Sequence, residues 1–237
     1  MKIIINPQYN QLSRFISSIN DCFEKEGKEL FRGRNTIKRY FVEGYDIAVK
    51  SFKKPILINR IIYTFIRKSK ARRSYEHAFL LLEKGIKTPS PIAYIEEKKN
   101  GLLNRSYYIC IYDKKSSYIR KQMSDREDDG KEFEKQLAIY IAELHGKGIL
   151  QKDLSPGNIM FYEEDGHFRF SIIDLNRMKF MSDIPLKTRY KNFKRLTQNK
   201  EIITHIAEEY AKASSLDVQE AVYEINRYSS DFSRRNN

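Results

Sequence analysis

The stretch Ile149–Phe161 reads ILQKDLSPGNIMF, with a polar turn between two apolar runs. The turn holds two oxygen-bearing side chains, Asp153 and Asn158, five residues apart and separated by a Ser-Pro-Gly bend. This pattern is typical of an ordinary strand-turn-strand connection, and also of a loop that holds an aspartate and an asparagine in a fixed geometry. The rest of the chain has to distinguish these two interpretations.

The composition is that of a globular protein, with 41% hydrophobic and 13% aromatic residues among 237. Cys22 and Cys110 are far apart and provide neither a CxxC pair nor a disulfide framework, which favours a reducing compartment. The apolar run at residues 3–5 is too short for a signal peptide. The most apolar segment, residues 56–66, contains Asn59 and Arg60, so it is not expected to span a bilayer. We therefore expect a soluble cytoplasmic protein.

The formal net charge of +13 indicates an anionic partner: nucleic acid, an anionic membrane surface or a phosphorylated substrate. No aromatic and basic string of the RRM type is present, so nucleic acid is not expected. One segment interleaves apolar and basic side chains, and its basic residues are Arg60, Arg67, Lys68, Lys70, Arg72 and Arg73. It is either a solvated helix face whose aromatic residues pack the small lobe, or a landing surface for an acidic membrane, to which each charge contributes roughly 1 kcal/mol.

The periodicity predicts an α+β protein. Residues 11–29 have helical spacing, residues 30–52 form short β-like runs, and residues 56–84 are helical up to Gly85. Two more strands are predicted around the Asn100-Gly101 turn. We predict a small antiparallel β-rich N-lobe over 1–113 and a mostly helical C-lobe over 114–237, which ends in a frayed basic tail from Arg227.

Three further residues complete a constellation with the loop. Lys50 lies in the strand-like IAVKSF, where alternation points it to the face opposite the neighbouring isoleucine and valine. Glu76 follows on a predicted helix, and Asp174 ends the apolar strand FSIID. Each residue alone would be an exposed charge, but their joint order is typical of ATP-dependent phosphoryl transfer. In that chemistry Asp153 is the catalytic base and Asn158 and Asp174 bind Mg²⁺. Lys50, held by Glu76, contacts the ATP phosphates.

The strings AVK, LHGKGILQKDLSPGNIM, IDLNR (173–177) and NFKRL (192–196) occur in the order found in the bacterial lipopolysaccharide kinases. The chain resembles this family of Kdo and heptose kinases, within the protein-kinase-like superfamily, over nearly its whole length. The resemblance implies a two-lobed protein-kinase-like fold that uses ATP and Mg²⁺. The implied acceptor is a sugar hydroxyl of the lipopolysaccharide inner core or its lipid-linked precursor, with Kdo ahead of heptose.

The resemblance also implies several residue roles. Backbone N–H groups of Gly33, Arg34 and Asn35, in a turn similar to the family's, would cover the ATP phosphates. Tyr112 and Asp113 fall where the hinge between the lobes would bind adenine through its backbone. An anionic, membrane-embedded acceptor further implies peripheral contact with the inner face of the cytoplasmic membrane.

The sequence departs from protein kinases at three places. Gln151-Lys152-Asp153 stands for His-Arg-Asp, Asp174-Leu175-Asn176 stands for Asp-Phe-Gly, and no Ala-Pro-Glu string follows. These departures favour a compact sugar- or lipid-directed kinase. A protein or small-molecule kinase of the same superfamily remains an alternative, as does a non-catalytic pseudokinase or basic binding module. A scaffold without catalysis would not need all five charged and amide residues of the constellation.

Overall fold

The computed structural model describes residues 1–124 and 130–234 of the chain. The chain divides into two compact units, Met1–Lys114 and Lys115–Asn237. Within the described ranges, no helix combines the length and the apolar character needed to cross a bilayer.

The first unit is built on a six-stranded sheet in which every neighbouring pair is antiparallel. Its strands, in the order β1-β5-β6-β4-β3-β2 across the sheet, are β1 (Lys2–Ile5), β2 (Lys28–Arg32), β3 (Asn35–Val42), β4 (Tyr45–Phe52), β5 (Pro91–Lys99) and β6 (Leu102–Ile111). The predicted β5–β6 turn is confirmed. Asn100 and Gly101 have positive φ values of 54° and 75°, which residues with a short or absent side chain adopt readily in such turns.

Each face of this sheet carries its own apolar cluster. On one face, Ile47 and Val49 of β4 are fully buried against helix α1 (Ser13–Cys22). On the other face, Phe52 packs with residues of helix α3 (Lys70–Glu83) and with tyrosines of β5 and β6. The side-chain alternation predicted for β4 is confirmed, and it directs Lys50 to the α3 face.

The helices of this unit differ from the prediction in their limits. Instead of one helix over 11–29, a 3₁₀ turn over Pro7–Leu12 precedes α1, which ends at Cys22. Gly27, with a φ of 82°, lies directly before β2 and lets the chain turn into that strand.

The region predicted as helical over 56–84 is also interrupted. Helix α2 (Leu57–Ile61) continues as a π-helical turn over Ile62–Ile66, and α3 then starts anew. The Ser69 hydroxyl caps α3 by accepting a hydrogen bond from the N–H of Arg72 at 3.1 Å. Gly85, with a φ of 73°, ends this region as predicted.

The second unit is mostly helical and carries short strands. Its elements are β7 (Ser117–Tyr118), α4 (Ile119–Ser124), α5 (Gly130–Gly146), β8 (Ile149–Gln151), β9 (Ile159–Glu164), β10 (His167–Ile172), β11 (Met178–Phe180), α6 (Leu186–Asn192), α7 (Lys200–Ala213) and α8 (Val218–Arg234). The strands pair as β10-β9-β7 and as β11-β8. The apolar side of α5 is buried at Phe133, Leu137, Ile141 and Leu144.

The prediction of a frayed tail from Arg227 is wrong as far as Arg234, because α8 continues to that residue. Ile225 and Ser229 are buried on its inner face, and the Ser229 hydroxyl donates to the carbonyl oxygen of Thr197 at 3.0 Å. Periodic inner contacts of this kind stabilise a helix whose sequence looks polar overall.

Candidate active site

Asp153 lies in the loop between β8 and β9, and its carboxylate is held by two arginines. Arg177 donates from Nη1 to Oδ2 at 3.1 Å, and Arg195 donates from Nη1 to Oδ1. The Asp153 side chain is 18% exposed, and those of Arg177 and Arg195 are 48% and 39% exposed. One carboxylate therefore meets two guanidinium groups at a partly open surface.

The two arginines come from strings that the sequence comparison noted without assigning them a role. Arg177 ends the IDLNR string, in a 3₁₀ turn over Leu175–Arg177, and Arg195 belongs to NFKRL. Phe232 of α8 lies under Arg195, with 5.1 Å between the guanidinium carbon and the ring centroid. Only the fold brings these residues to Asp153, since they follow it by 24 and 42 positions.

Asn158 closes the same loop and is oriented by a hydrogen bond within it. Its Nδ2 donates to the carbonyl oxygen of Asp153 at 2.8 Å, and its backbone N–H donates to Ser155 at 2.9 Å. With the amide nitrogen engaged, the Oδ1 oxygen is the atom that Asn158 can offer to a cation. The carbonyl oxygen of Asn158 accepts from the N–H of Ile173, so the residue before Asp174 is bonded to this loop.

Asp174 follows β10 and has a left-handed backbone, with a φ of 57° and a ψ of 53°. Its Oδ1 accepts a hydrogen bond from Nδ2 of the buried Asn176 at 2.6 Å. Gln151, which is 1% exposed, donates from Nε2 to the carbonyl oxygens of both Ile173 and Asp174 at 3.2 Å. Gln151 therefore links β8 to the Asp174 segment from inside the unit, and its side chain does not face an acceptor substrate.

A buried network supports Gln151 from behind. The carbonyl oxygen of Gln151 accepts from Nδ2 of Asn192 at 2.8 Å, which fixes the Oδ1 of that amide as an acceptor. His145 lies next to it, with 3.1 Å between its Nε2 and Asn192 Oδ1 and 2.9 Å between its Nδ1 and the hydroxyl of Tyr210. His145 Nε2 must therefore carry the proton, and Nδ1 accepts from Tyr210.

Burial controls the titration of this network. It lowers the pKa of His145 to about 4, against a smaller opposing effect of the hydrogen bond to Asn192. Burial likewise raises the pKa of Tyr210 to about 12. The imidazole is therefore neutral at physiological pH, and both of its nitrogens are engaged by Tyr210 and Asn192.

In the first unit, Lys50 lies half-buried on the α3 face of the sheet, with Nζ 5.4 Å from the ring centroid of Phe52. Glu76 of α3 binds two cations of the basic segment: Lys68 Nζ is 2.8 Å from Oε2, and Arg72 Nε is 2.9 Å from Oε1. These hydrogen bonds lower the pKa of Glu76 against the opposing effect of burial. The pair that the sequence predicts between Lys50 and Glu76 stays a prediction.

The turn predicted to cover the phosphates connects β2 to β3 at the exposed end of a hairpin. Gly33 donates its N–H to the carbonyl oxygen of Asn35 at 3.0 Å, and Arg34 is exposed. Asn35 Oδ1 accepts from the N–H of Lys53 at 3.3 Å. Of the three backbone donors proposed for phosphate, that of Gly33 is thus already used within the turn.

The predicted hinge follows β6. Tyr112 donates its N–H to the carbonyl oxygen of Asp46 at 2.8 Å, so an adenine contact from Tyr112 would use its carbonyl oxygen. The guanidinium of Arg39 stacks 4.5 Å from the Tyr112 ring centroid and also binds the Asp46 carboxylate, as Lys114 does at 2.7 Å. Asp113 follows at the end of the first unit, half-buried.

Comparison with known proteins places this geometry in a family. The structure is similar to that of "WaaP in complex with acyl carrier protein", with a TM-score of 0.68 and 15% identity over 99% of this chain and 98% of the other. It is also similar to the Rio2 kinase of Chaetomium thermophilum, solved as an ADP/Mg²⁺-phosphoaspartate complex. That match has a TM-score of 0.52 and 14% identity over 96% of this chain and 77% of the other. These likenesses show a protein-kinase-like fold.

A search of curated protein sequences gave no significant match. The model of the lipopolysaccharide kinase (Kdo/WaaP) family matches residues 36–221, which include the Asp153 loop, the IDLNR string and the NFKRL string. The protein therefore has the α+β architecture of a kinase, and the chain belongs to the lipopolysaccharide kinase (Kdo/WaaP) family of phosphotransferases.

Proposed function

We propose that the protein transfers the γ-phosphoryl group of ATP to a hydroxyl of Kdo in the lipopolysaccharide inner core or its lipid-linked precursor. Family membership supports the kinase activity. The observation that carries the choice of acceptor is the contact of Asp153 with both Arg177 and Arg195. Kdo is an acidic sugar, whereas heptose is neutral.

The charge balance around Asp153 favours an anionic acceptor. Its single negative charge is shared between two guanidinium groups, which leaves an excess positive charge beside the catalytic base. Both arginines are partly exposed and present further N–H donors in a planar fork, the geometry that binds carboxylates and phosphates in pairs. A carboxylate on the acceptor sugar would thus be bound next to the hydroxyl that reacts.

In the proposed mechanism Asp153 accepts a hydrogen bond from the acceptor hydroxyl and orients its oxygen toward the γ-phosphorus. The new O–P bond forms as the bond from the γ-phosphorus to the bridging oxygen of ADP breaks, and the hydroxyl proton passes to the Asp153 carboxylate. Lys50 contacts the α- and β-phosphates, and Glu76 is proposed to position it. Positioning and charge neutralisation provide most of the rate enhancement in such a reaction.

The donor set in the second unit fits Mg²⁺. Asn158 Oδ1 and the Asp174 carboxylate are hard oxygen ligands, and the Ile173–Asn158 hydrogen bond keeps their segments together. One or two side-chain oxygens are what Mg²⁺ takes from a protein when nucleotide phosphates and waters complete its octahedron. Mg²⁺ held by these two oxygens would neutralise charge on the ATP phosphates.

The test is transfer of labelled phosphate from ATP to three acceptors: Kdo-lipid A, a heptosylated core and a generic protein. We expect labelling of Kdo-lipid A by the wild type. Asp153→Asn and Asp174→Asn each remove one charge while keeping the side-chain shape. Each should lower the rate of labelling by about 10³-fold or more, the size of effect expected when a catalytic group is removed.

The control variant is Asp183→Asn, an exposed aspartate bonded to Arg189, which should keep wild-type activity. Circular dichroism of every variant checks that the fold is retained. Labelling of heptose alone or of protein alone would overturn the assignment of Kdo. Undiminished labelling by both active-site variants would overturn the mechanism.

A further inference from the structure

The segment Ile56–Ile66, which we call the apolar ridge, presents large apolar side chains to solvent. Five of them are between 61% and 80% exposed: Ile56, Leu57, Ile58, Phe65 and Ile66. Single exposed apolar residues are common on protein surfaces, but a contiguous group of this kind marks an interaction site.

The apolar ridge is attached to the first unit through its polar side chains, which is the reverse of an ordinary amphipathic helix. Arg60 donates from Nε to the carbonyl oxygen of Leu103 at 2.8 Å and from Nη2 to that of Lys99 at 3.1 Å. Thr64 accepts the N–H of Leu103 at 2.9 Å and donates to the carbonyl oxygen of Arg60. With these groups bonded inward, the apolar side chains are held outward.

Positive charge surrounds the apolar ridge. Residues 53–73 contain eight basic side chains and no acidic one: Lys53, Lys54, Arg60, Arg67, Lys68, Lys70, Arg72 and Arg73. Lys53 and Lys54 before the ridge and Arg67 after it are exposed. Glu76 of α3 binds Lys68 and Arg72, so it offsets only one of these charges.

We propose that the apolar ridge inserts into the headgroup region of a bilayer that contains anionic phospholipid, with the flanking basic residues on the lipid phosphates. Apolar residues flanked by lysine and arginine have the composition of an interfacial membrane anchor. The charge complementarity selects an anionic bilayer over a second copy of this chain, because two such surfaces brought together would repel each other. The inference is independent of phosphoryl transfer.

The test measures binding of the full chain to vesicles that contain no acceptor. Sedimentation with vesicles of phosphatidylcholine alone is compared with sedimentation with vesicles that also contain phosphatidylglycerol. We expect binding to the anionic vesicles that weakens as salt is added. The double variant Phe65→Ser/Ile66→Ser should reduce the partition coefficient by about tenfold or more, and Lys53→Gln/Lys54→Gln should reduce it by roughly fivefold per charge.

The matched control is Phe41→Ser, which removes an equally exposed phenylalanine, 73% against 74% for Phe65, from β3 of the same unit. It should bind anionic vesicles like the wild type. Circular dichroism checks the fold of each variant. Equal binding of the Phe65/Ile66 variant and the wild type would overturn the proposal. So would a dimer in sedimentation equilibrium that the same variant dissociates, because the ridge would then bind a second copy.

Discussion

Asn192, the last residue of α6, donates a hydrogen bond from its side-chain amide to the carbonyl oxygen of Gln151, 41 residues earlier, at 2.8 Å. The same amide meets the ring of His145 through its oxygen. Because Gln151 in turn bonds the backbone of Asp174, one asparagine connects helix α5, the strand before the Asp153 loop and the proposed metal-binding segment.

Substituting Asn192→Ala should destabilise the protein by about 2 kcal/mol, because the Gln151 carbonyl loses its side-chain donor and His145 Nε2 loses its acceptor. The free energy of unfolding in urea measures this loss. Asn10→Ala, at an exposed position of the first unit, should change it by less than about 0.5 kcal/mol. Equal stability of the two variants would contradict the role of the network.

Acid should destabilise the protein through His145. Its pKa is about 4 in the folded state and about 6.5 in the unfolded state. Between pH 4 and pH 6.5, the imidazole is therefore protonated in the unfolded chain and neutral in the folded chain. The contribution is complete above pH 6.5 and is lost as the pH falls toward 4. Between pH 7 and pH 5, the wild type should lose about 2 kcal/mol more than His145→Gln.

Urea unfolding of both proteins at each pH checks this difference, and the carboxylates, which titrate in both, cancel in the comparison. His145→Gln should be less stable than the wild type at pH 7, because glutamine does not reproduce both ring contacts. Parallel pH profiles of the two proteins would mean that the imidazole titrates alike in the folded and unfolded chains.

Removing either arginine beside Asp153 should weaken binding of an anionic acceptor. Arg177→Gln and Arg195→Gln should each raise the KM for Kdo-lipid A by about tenfold, as expected for the loss of one charge-assisted contact. The KM for ATP should change far less. Arg169→Gln, which removes an exposed arginine near Glu164, serves as the control and should keep both constants. A rise confined to the KM for ATP would assign the arginines to the nucleotide instead.

Gly148 allows the close approach of β8 to the chain after β11. It has a φ of 72°, and a Cβ there would lie 1.8 Å from the carbonyl oxygen of Met181, whose N–H donates to Gly148. Gly148→Ala combines a left-handed backbone with a steric clash, so it should cost at least about 3 kcal/mol. Gly146→Ala, two residues earlier at the end of α5, meets nothing within 4 Å and should be tolerated, as thermal unfolding of both variants can show.

Much of the fold could be predicted from local patterns. Alternation identified β4 and the face to which Lys50 points, and the Asn100-Gly101 pair identified the β5–β6 turn. These features depend on neighbouring residues alone. The extent of α8 was not predicted, because its stability comes from contacts such as that of Ser229 with Thr197, which lie far apart in sequence.

The site shows the same division. The spacing of Asp153 and Asn158 and the strand before Asp174 are local, so the sequence indicated them directly. Arg195 contacts Asp153, and Asn192 contacts Gln151, only through tertiary structure, and motif resemblance flagged both residues without a role. Gln151 is one of the departures from protein kinases that favoured a sugar- or lipid-directed kinase, and its burial assigns it to the interior.

The left-handed backbone of Asp174 has a consequence for how catalysis could be lost. At a φ of 57°, only glycine, asparagine and aspartate are accommodated without appreciable strain. The substitution Asp174→Asn would remove the charge proposed to bind Mg²⁺ and would leave the backbone conformation unstrained. On the proposed mechanism, a relative of this chain with asparagine at the position would fold normally and lack phosphoryl transfer, and a sequence survey could recognise it from that single residue.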